Sequence, residues 1–324
     1  MLPAFDYVRP KSLTDAFKHL SSQGTVVQAG GTDLFGCLRD RVFEASALVS
    51  LNNIKELRGI TDAGSGIRIG ALTTITEIAA SPIIRDQYPV LAQAALEVAS
   101  PQLRNQGTIG GNLCQKPRCW YYRGEFLCLR KGGETCFAVA GENLYHCILG
   151  GDGCYIVHPS DTAPAFVALD AKVRTARSNG TRTLSVEELF MSPGRNPKKE
   201  TTLEPGEIVT EILLPVPSKG MVSSYRKVRA RRSWDFALAS VALAVTMSGK
   251  RVAGARVVLG GAAPVPWRAR EVEEIITGKQ LDAATIAKAS EAAISKAQPL
   301  DRNIYKLSLF RGLIEEQLQA IGTT

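Results

Sequence analysis

The spacing of apolar and polar residues divides the chain into short helices and strands. In SLTDAFKHLSSQG (12–24), Leu13, Ala16, Phe17 and Leu20 share one helical face. Ser12 can cap that helix and Gly24 can end it. TVVQAGGTDL then predicts a strand over residues 25–28 running into a glycine-rich turn, and ALVSL (47–51) predicts another. GIRIGALTT, from residue 66, alternates as a half-buried strand does, and TEIAASPIIRDQYPVLAQAALEVA continues with helical spacing. A hairpin is expected at Asn179-Gly180, and a capping box from Ser185 to Glu188 before a further short helix. EIVTEILLPVP (207–217) predicts a strand closed by prolines.

The texture changes after 216–220. SSYRKVRA and RVAGARVVLGG predict strands, while the apolar run DFALASVALAVTM fits either a strand or a helix. Three helices are expected in WRAREVEEIITG, DAATIAKASEAAISKA and NIYKLSLFRGLIEEQLQAIG. This is α+β text in two parts, a larger one over 1–220 and a smaller one over 221–324, with no internal repeat. A length of 324 residues agrees with two cores rather than one.

Composition changes this picture little: 45% of residues are hydrophobic and 22% charged, as in ordinary globular proteins. The net charge of +8 comes from scattered Lys and Arg, with local clusters at 227–232 (KVRARR) and 196–199 (NPKK). Nucleic-acid binders interleave such clusters with stacking aromatics, and aromatics make up only 6% here, so a solvated surface or steering toward an acidic partner is the better expectation. No apolar run is long enough for a membrane span. The start, MLPAFDYVRPKSLTD, lacks the charged and apolar regions of an export signal. A cytoplasmic location is expected, the alternative being periplasmic export of the folded chain with a signal-bearing partner.

Cysteine placement is the most informative feature. Of seven cysteines, six fall between Cys114 and Cys154, and only Cys37 lies elsewhere. Disulfide scaffolds are typically small and secreted, and zinc sites favour C-x2-C pairs, which are missing here. The long gaps require a segment that wraps around what it binds, as a cluster held by four thiolates demands. Zinc and free or paired thiols remain compatible with this spacing. Two Gly-Gly loops, QAGGTDL (28–34) and GTIGGNL (107–113), match neither a dinucleotide fingerprint nor a P-loop. They are either unrelated turns or two cradles for one extended ligand containing a pyrophosphate.

Taken together, QAGGTDL, IGALTT, GTIGGNLCQ, HPSDTAPAFVALDA and YRKVRARRSWDFALASVALAV resemble the flavoprotein subunit of the xanthine oxidase (molybdenum hydroxylase) family, in that order and over nearly the whole chain. The resemblance implies a vanillyl-alcohol-oxidase (PCMH)-type FAD-binding domain over 1–220. A C-terminal α+β domain like that of the CO dehydrogenase flavoprotein would follow over 221–324. CQKPRCWYYRGEFLCLRKGGETCFAVAGENLYHCILGGDGC, an insertion at about 114–155, is similar to those of aldehyde oxidoreductases and 4-hydroxybenzoyl-CoA reductase that carry an additional [4Fe-4S] cluster. Its text is closer to the aldehyde oxidoreductase type.

The resemblance implies cluster ligands at Cys119, Cys128, Cys136 and Cys154. Cys147 competes with Cys154 for the fourth place, and the distance from Cys154 to HPSDTAPA favours the latter. For FAD, Val27, Gln28, Ala29, Gly30, Gly31, Thr32, Asp33 and Leu34 would hold the pyrophosphate, with Thr108, Ile109, Gly110, Gly111 and Asn112 on its other side. Asp161 would bond the flavin or its ribityl chain, and Lys227 would face the flavin's pyrimidine edge. No catalytic residue is implied in this chain. Its expected partners are a small subunit with [2Fe-2S] clusters, a large subunit with the molybdenum cofactor, and an external electron acceptor. Substrate oxidation would occur on the large subunit, with electrons passing outward. The alternatives are a 4-hydroxybenzoyl-CoA reductase-type β subunit with reversed flow, or a zinc-stabilised binding or assembly protein without catalysis.

Overall fold

The computed structural model describes residues 1–231 and 234–323; Arg232, which closes the basic run at 227–232, lies outside them. Among the described residues the strands form three sheets. A small parallel sheet has Ala47–Ser50 between Asp6–Val8 and Thr25–Gln28. A five-stranded antiparallel sheet runs in the order Ile60–Asp62, Gly66–Gly70, Ile208–Pro215, Lys172–Arg177, Gly180–Ser185. A four-stranded antiparallel sheet is built from Trp267–Arg268, Arg251–Gly260, Ala239–Ser248 and Met221–Val228.

Local chemistry explains most of the elements. Ser12 accepts a bond from the Asp15 N–H at the start of the helix Leu13–Leu20. The expected capping box is present at Ser185 and Glu188. The helical text after residue 74 is three helices rather than one, Ile75–Ala80, Pro82–Gln87 and Pro89–Leu96, because Pro82 and Pro89 each start a new one. The hairpin register pairs Arg177 with Gly180, so Ser178 and Asn179 form the turn and Gly180, at φ +147, already begins the returning strand. The ambiguous run at 235–247 forms the strand Ala239–Ser248. It lies between two partner strands and its first seven residues are all buried, so it shows no alternation.

The helix Thr162–Ala168 joins the two parts, with every one of its residues buried. Phe166 shares one core with Ile69 and Ile212 of the five-stranded sheet and with Ala242 and Val258 of the four-stranded one. The cysteine segment also crosses the boundary. Ile148 and Leu149 belong to the C-terminal core, their N–H groups bond the Ala262 carbonyl, and Asn303 Nδ2 reaches the carbonyls of His146 and Cys147. Phe166→Ala is expected to cost about 3–5 kcal/mol and to lower the midpoint of one common urea transition. Two separated transitions, with only one displaced, would show that the halves fold independently.

Candidate cofactor sites

The parallel sheet delivers the first glycine loop. Thr25–Gln28 leads into Ala29-Gly30-Gly31-Thr32, and the helix Leu34–Arg39 follows. A Cβ on Gly30 would lie 2.2 Å from the Gln106 carbonyl oxygen, so only glycine permits this approach to the second loop. Gln106 Nε2 donates to the Gly30 carbonyl at 3.2 Å, and Asn52 Nδ2 donates to the Ala29 carbonyl at 3.2 Å. In the second loop, the Thr108 hydroxyl accepts the Gly111 N–H. The Asn112 side-chain oxygen Oδ1 accepts the hydroxyls of Ser160 (2.5 Å) and Thr162 (2.7 Å).

These loops face each other across a cleft of about 370 Å³ whose floor includes Leu51, Leu72, Ile75 and Leu103. Val27, Ala29 to Leu34, Thr108, Gly110, Gly111, Asn112 and Asp161 line it. Three of the residues expected at the cofactor do not. Ile109 is wholly buried in the core, and Gln28 is buried and bonds Tyr7 and its own loop. Lys227 is held by Asp161 Oδ2 at 2.8 Å and by the Glu97 carbonyl at 3.0 Å. Lys227 therefore acts through Asp161, whose other oxygen accepts the Tyr225 hydroxyl at 2.9 Å. Burial raises the Asp161 carboxyl, while Lys227 and Tyr225 pull it back.

Other residues at the cleft had no role assigned from the sequence. Trp234 and Phe236 stand at its edge, and the Arg118 guanidinium lies 4.9 Å from the Phe236 ring centroid. Asp33 receives Arg118 Nη1 (2.8 Å), Arg123 Nη2 (2.7 Å) and the Lys116 N–H (2.7 Å), all from the cysteine segment. The carboxylate in the first glycine loop is thereby neutralised. Only the run of Arg and Lys among the cysteines hinted at this in the sequence.

Cys119, Cys128, Cys136 and Cys154 line a second, small cavity together with Arg130 and His146. The chain packs tightly around it: a Cβ on Gly133 would meet the Leu127 carbonyl oxygen at 1.9 Å. Cys147 is fully buried but does not line the cavity, and Cys114 lines the larger cleft instead. Cys37 accepts a bond from Arg123 Nη1 at 2.8 Å. All seven cysteines are free thiols. Among the described residues no three His, Cys, Asp or Glu side chains converge closely enough to hold a single metal ion. The four thiols line a cavity of about 10 Å³. Burial pushes Cys119 up to about 11, and raises Cys154 against the opposing pull of Arg130.

The chain matches two family models, the FAD binding domain in molybdopterin dehydrogenase over residues 3–217 and the CO dehydrogenase flavoprotein C-terminal domain over residues 223–320. It is 37% identical to the aldehyde oxidoreductase FAD-binding subunit PaoB of Escherichia coli strain K12, over 95% of each chain. It is 29% identical to the carbon monoxide dehydrogenase medium chain of Hydrogenophaga pseudoflava, over 92% of this chain and 89% of that one. A solved structure of carbon monoxide dehydrogenase from the same organism superposes with a TM-score of 0.79 at 28% identity, covering 99% and 98% of the two chains.

Gly30→Ala is expected to lower bound flavin at least about tenfold, because the new Cβ meets backbone rather than a movable side chain. Gly36→Ala, with open space at that position, should leave flavin content unchanged in the same absorbance assay. Burial also lowers His158, beside the cleft residues Pro159 and Asp161, from 6.5 to about 4. The unfolded chain binds this proton first, so stability is complete above about pH 6.5 and falls as pH drops toward 4. His158→Asn should flatten that part of the stability–pH curve in urea denaturation. An unchanged slope would refute the assignment.

Proposed function

The chain belongs to the FAD-binding subunits of the molybdopterin dehydrogenases, and from that premise we propose that it is the electron-transfer subunit of a molybdenum-containing aldehyde oxidoreductase, with a [4Fe-4S] cluster beside its FAD. One observation carries the finer part of this reading: four cysteines spread over 36 positions line one cavity, while Cys114 and Cys147 do not.

The residues present fit both groups. Two glycine loops, in one of which a Cβ would collide with backbone, suit a pyrophosphate, and the apolar floor suits a flat ring system. Val27, Ala29 to Leu34, Thr108 and Gly110 to Asn112 would hold the FAD, with Asp161 toward the C-terminal sheet. Gln28 and Ile109 would shape the loops from beneath, and Lys227 would orient Asp161. Cys119, Cys128, Cys136 and Cys154 would hold the cluster, giving up their thiol protons as they bind. Bound, the two groups would supply the one-electron chemistry that side chains lack. The protein's part is to exclude water, hold the groups close together and set the charge around them.

Relatives named as medium chains and FAD-binding subunits support partners for this chain: a small [2Fe-2S] subunit and a large subunit with the molybdenum cofactor. Aldehyde as substrate rests on the likeness to the Escherichia coli subunit and would belong to the large partner. Electrons would leave to an external acceptor.

Anaerobically purified protein should show flavin peaks over a broad iron–sulfur shoulder, with about four irons and four sulfides per FAD. Cys154→Ser should lose the iron and Cys147→Ser should keep it. Flavin without iron would remove the cluster and leave the flavoprotein, whereas zinc without flavin would overturn both.

A further inference from the structure

Arg130 is the deeply buried cation at the cysteine cavity, with 1% of its side chain exposed. It lines the cysteine cavity, and its Nη1 donates to Glu200 Oε1 at 2.9 Å. Its Nε and Nη2 are buried without an oxygen or nitrogen partner, and its charge acts on the Cys154 sulfur. The other oxygen of Glu200, whose side chain is 10% exposed, is bonded by Lys116 Nζ. Lys116 lines the large cleft. One carboxylate thus joins a cation at the cysteine cavity to a cation at the glycine loops.

We propose that Arg130 is the charge that balances the thiolate cavity, and that Glu200, shared by Arg130 and Lys116, couples the reduction potentials of the two cofactor sites. This inference rests on the cluster reading above. Four thiolates around an iron–sulfur core leave a net negative charge, which one-electron reduction increases. A fixed guanidinium in a poorly solvated cavity stabilises the reduced state more than the oxidised one, and so raises the potential. Glu200 tempers that effect, and tempers the effect of Lys116 on the cleft in the same way. An apolar side chain would fill the same space without leaving two buried N–H groups unsatisfied. Glu200 offsets part of the cost of burying that guanidinium, and an anion in the cavity would offset the rest by meeting Nε and Nη2.

The test is a redox titration of the purified holoenzyme, following the cluster by its electron paramagnetic resonance signal and the flavin by absorbance. Arg130→Gln should make cluster reduction about tenfold less favourable, a shift of about 59 mV to more negative potential. Arg130→Lys, which keeps the charge, should recover most of it. Glu200→Gln should move both cluster and flavin to more positive potential. These opposite signs separate a charge effect from a packing effect. Potentials unmoved in both variants, shifts of the same sign, or loss of iron from both would overturn the proposal. A flavin potential unmoved in Glu200→Gln would overturn the coupling. Iron lost from Arg130→Gln alone, with flavin kept and Glu200→Gln raised in potential, would support it, because assembly would then need the charge. Wild-type protein without iron would instead defeat the cluster reading, before any variant is made.

Discussion

Both candidate sites depend on how Asp33 is neutralised. This carboxylate sits in the first glycine loop, where a free negative charge would repel an anionic ligand. Arg118 and Arg123 bind it from the cysteine segment, together with the Lys116 N–H. Arg123 also holds Cys37 Sγ and the carbonyls of Pro117 and Lys116, so its guanidinium fixes the entrance to the segment as well as the loop. A partly buried pair of this kind adds little net stability. Removing either partner strands the other, so the arrangement fixes geometry more than it adds free energy. The loop and the cysteine segment cannot take up independent positions while it holds.

A second constraint is apolar. The helix Thr162–Ala168 is buried on every side and shared by two sheets, which gives the loops of the N-terminal part a rigid backing from the C-terminal part. Asp161, immediately before it, reaches across to Lys227 and Tyr225 on the strand Met221–Val228. The C-terminal helix Tyr305–Gly322 contributes Lys306, whose ammonium donates to the carbonyls of Gly261 and Tyr145. Burial lowers that lysine to about 8. The cysteine cavity is therefore braced by the C-terminal part, although its ligand candidates all come from one stretch of the N-terminal part.

The short elements were legible because their determinants are local. Ser12 and the Ser185–Glu188 box cap the turns beside them as expected, whereas the breaks at Pro82 and Pro89 divide a segment whose helical spacing runs on through them. The run at 235–247 was ambiguous for the opposite reason. Burial on both faces erases the alternation that distinguishes a strand, and only pairing with Met221–Val228 and Arg251–Gly260 decides it.

The sequence by itself determined the two-part α+β layout, both glycine loops, the crowding of the thiols and a family resemblance that named four of them. Each of these is written in residues close together along the chain, where sterics and spacing act directly. Tertiary structure alone decided which thiols share a cavity, that Lys227 is committed to Asp161, and that Trp234 and Phe236 stand at the cleft. It also decided that Glu200 links Arg130 to Lys116. Those pairings join residues that lie far apart in sequence. Burial makes them strong by removing water's competition, and no local pattern of side chains records which distant partner burial will bring.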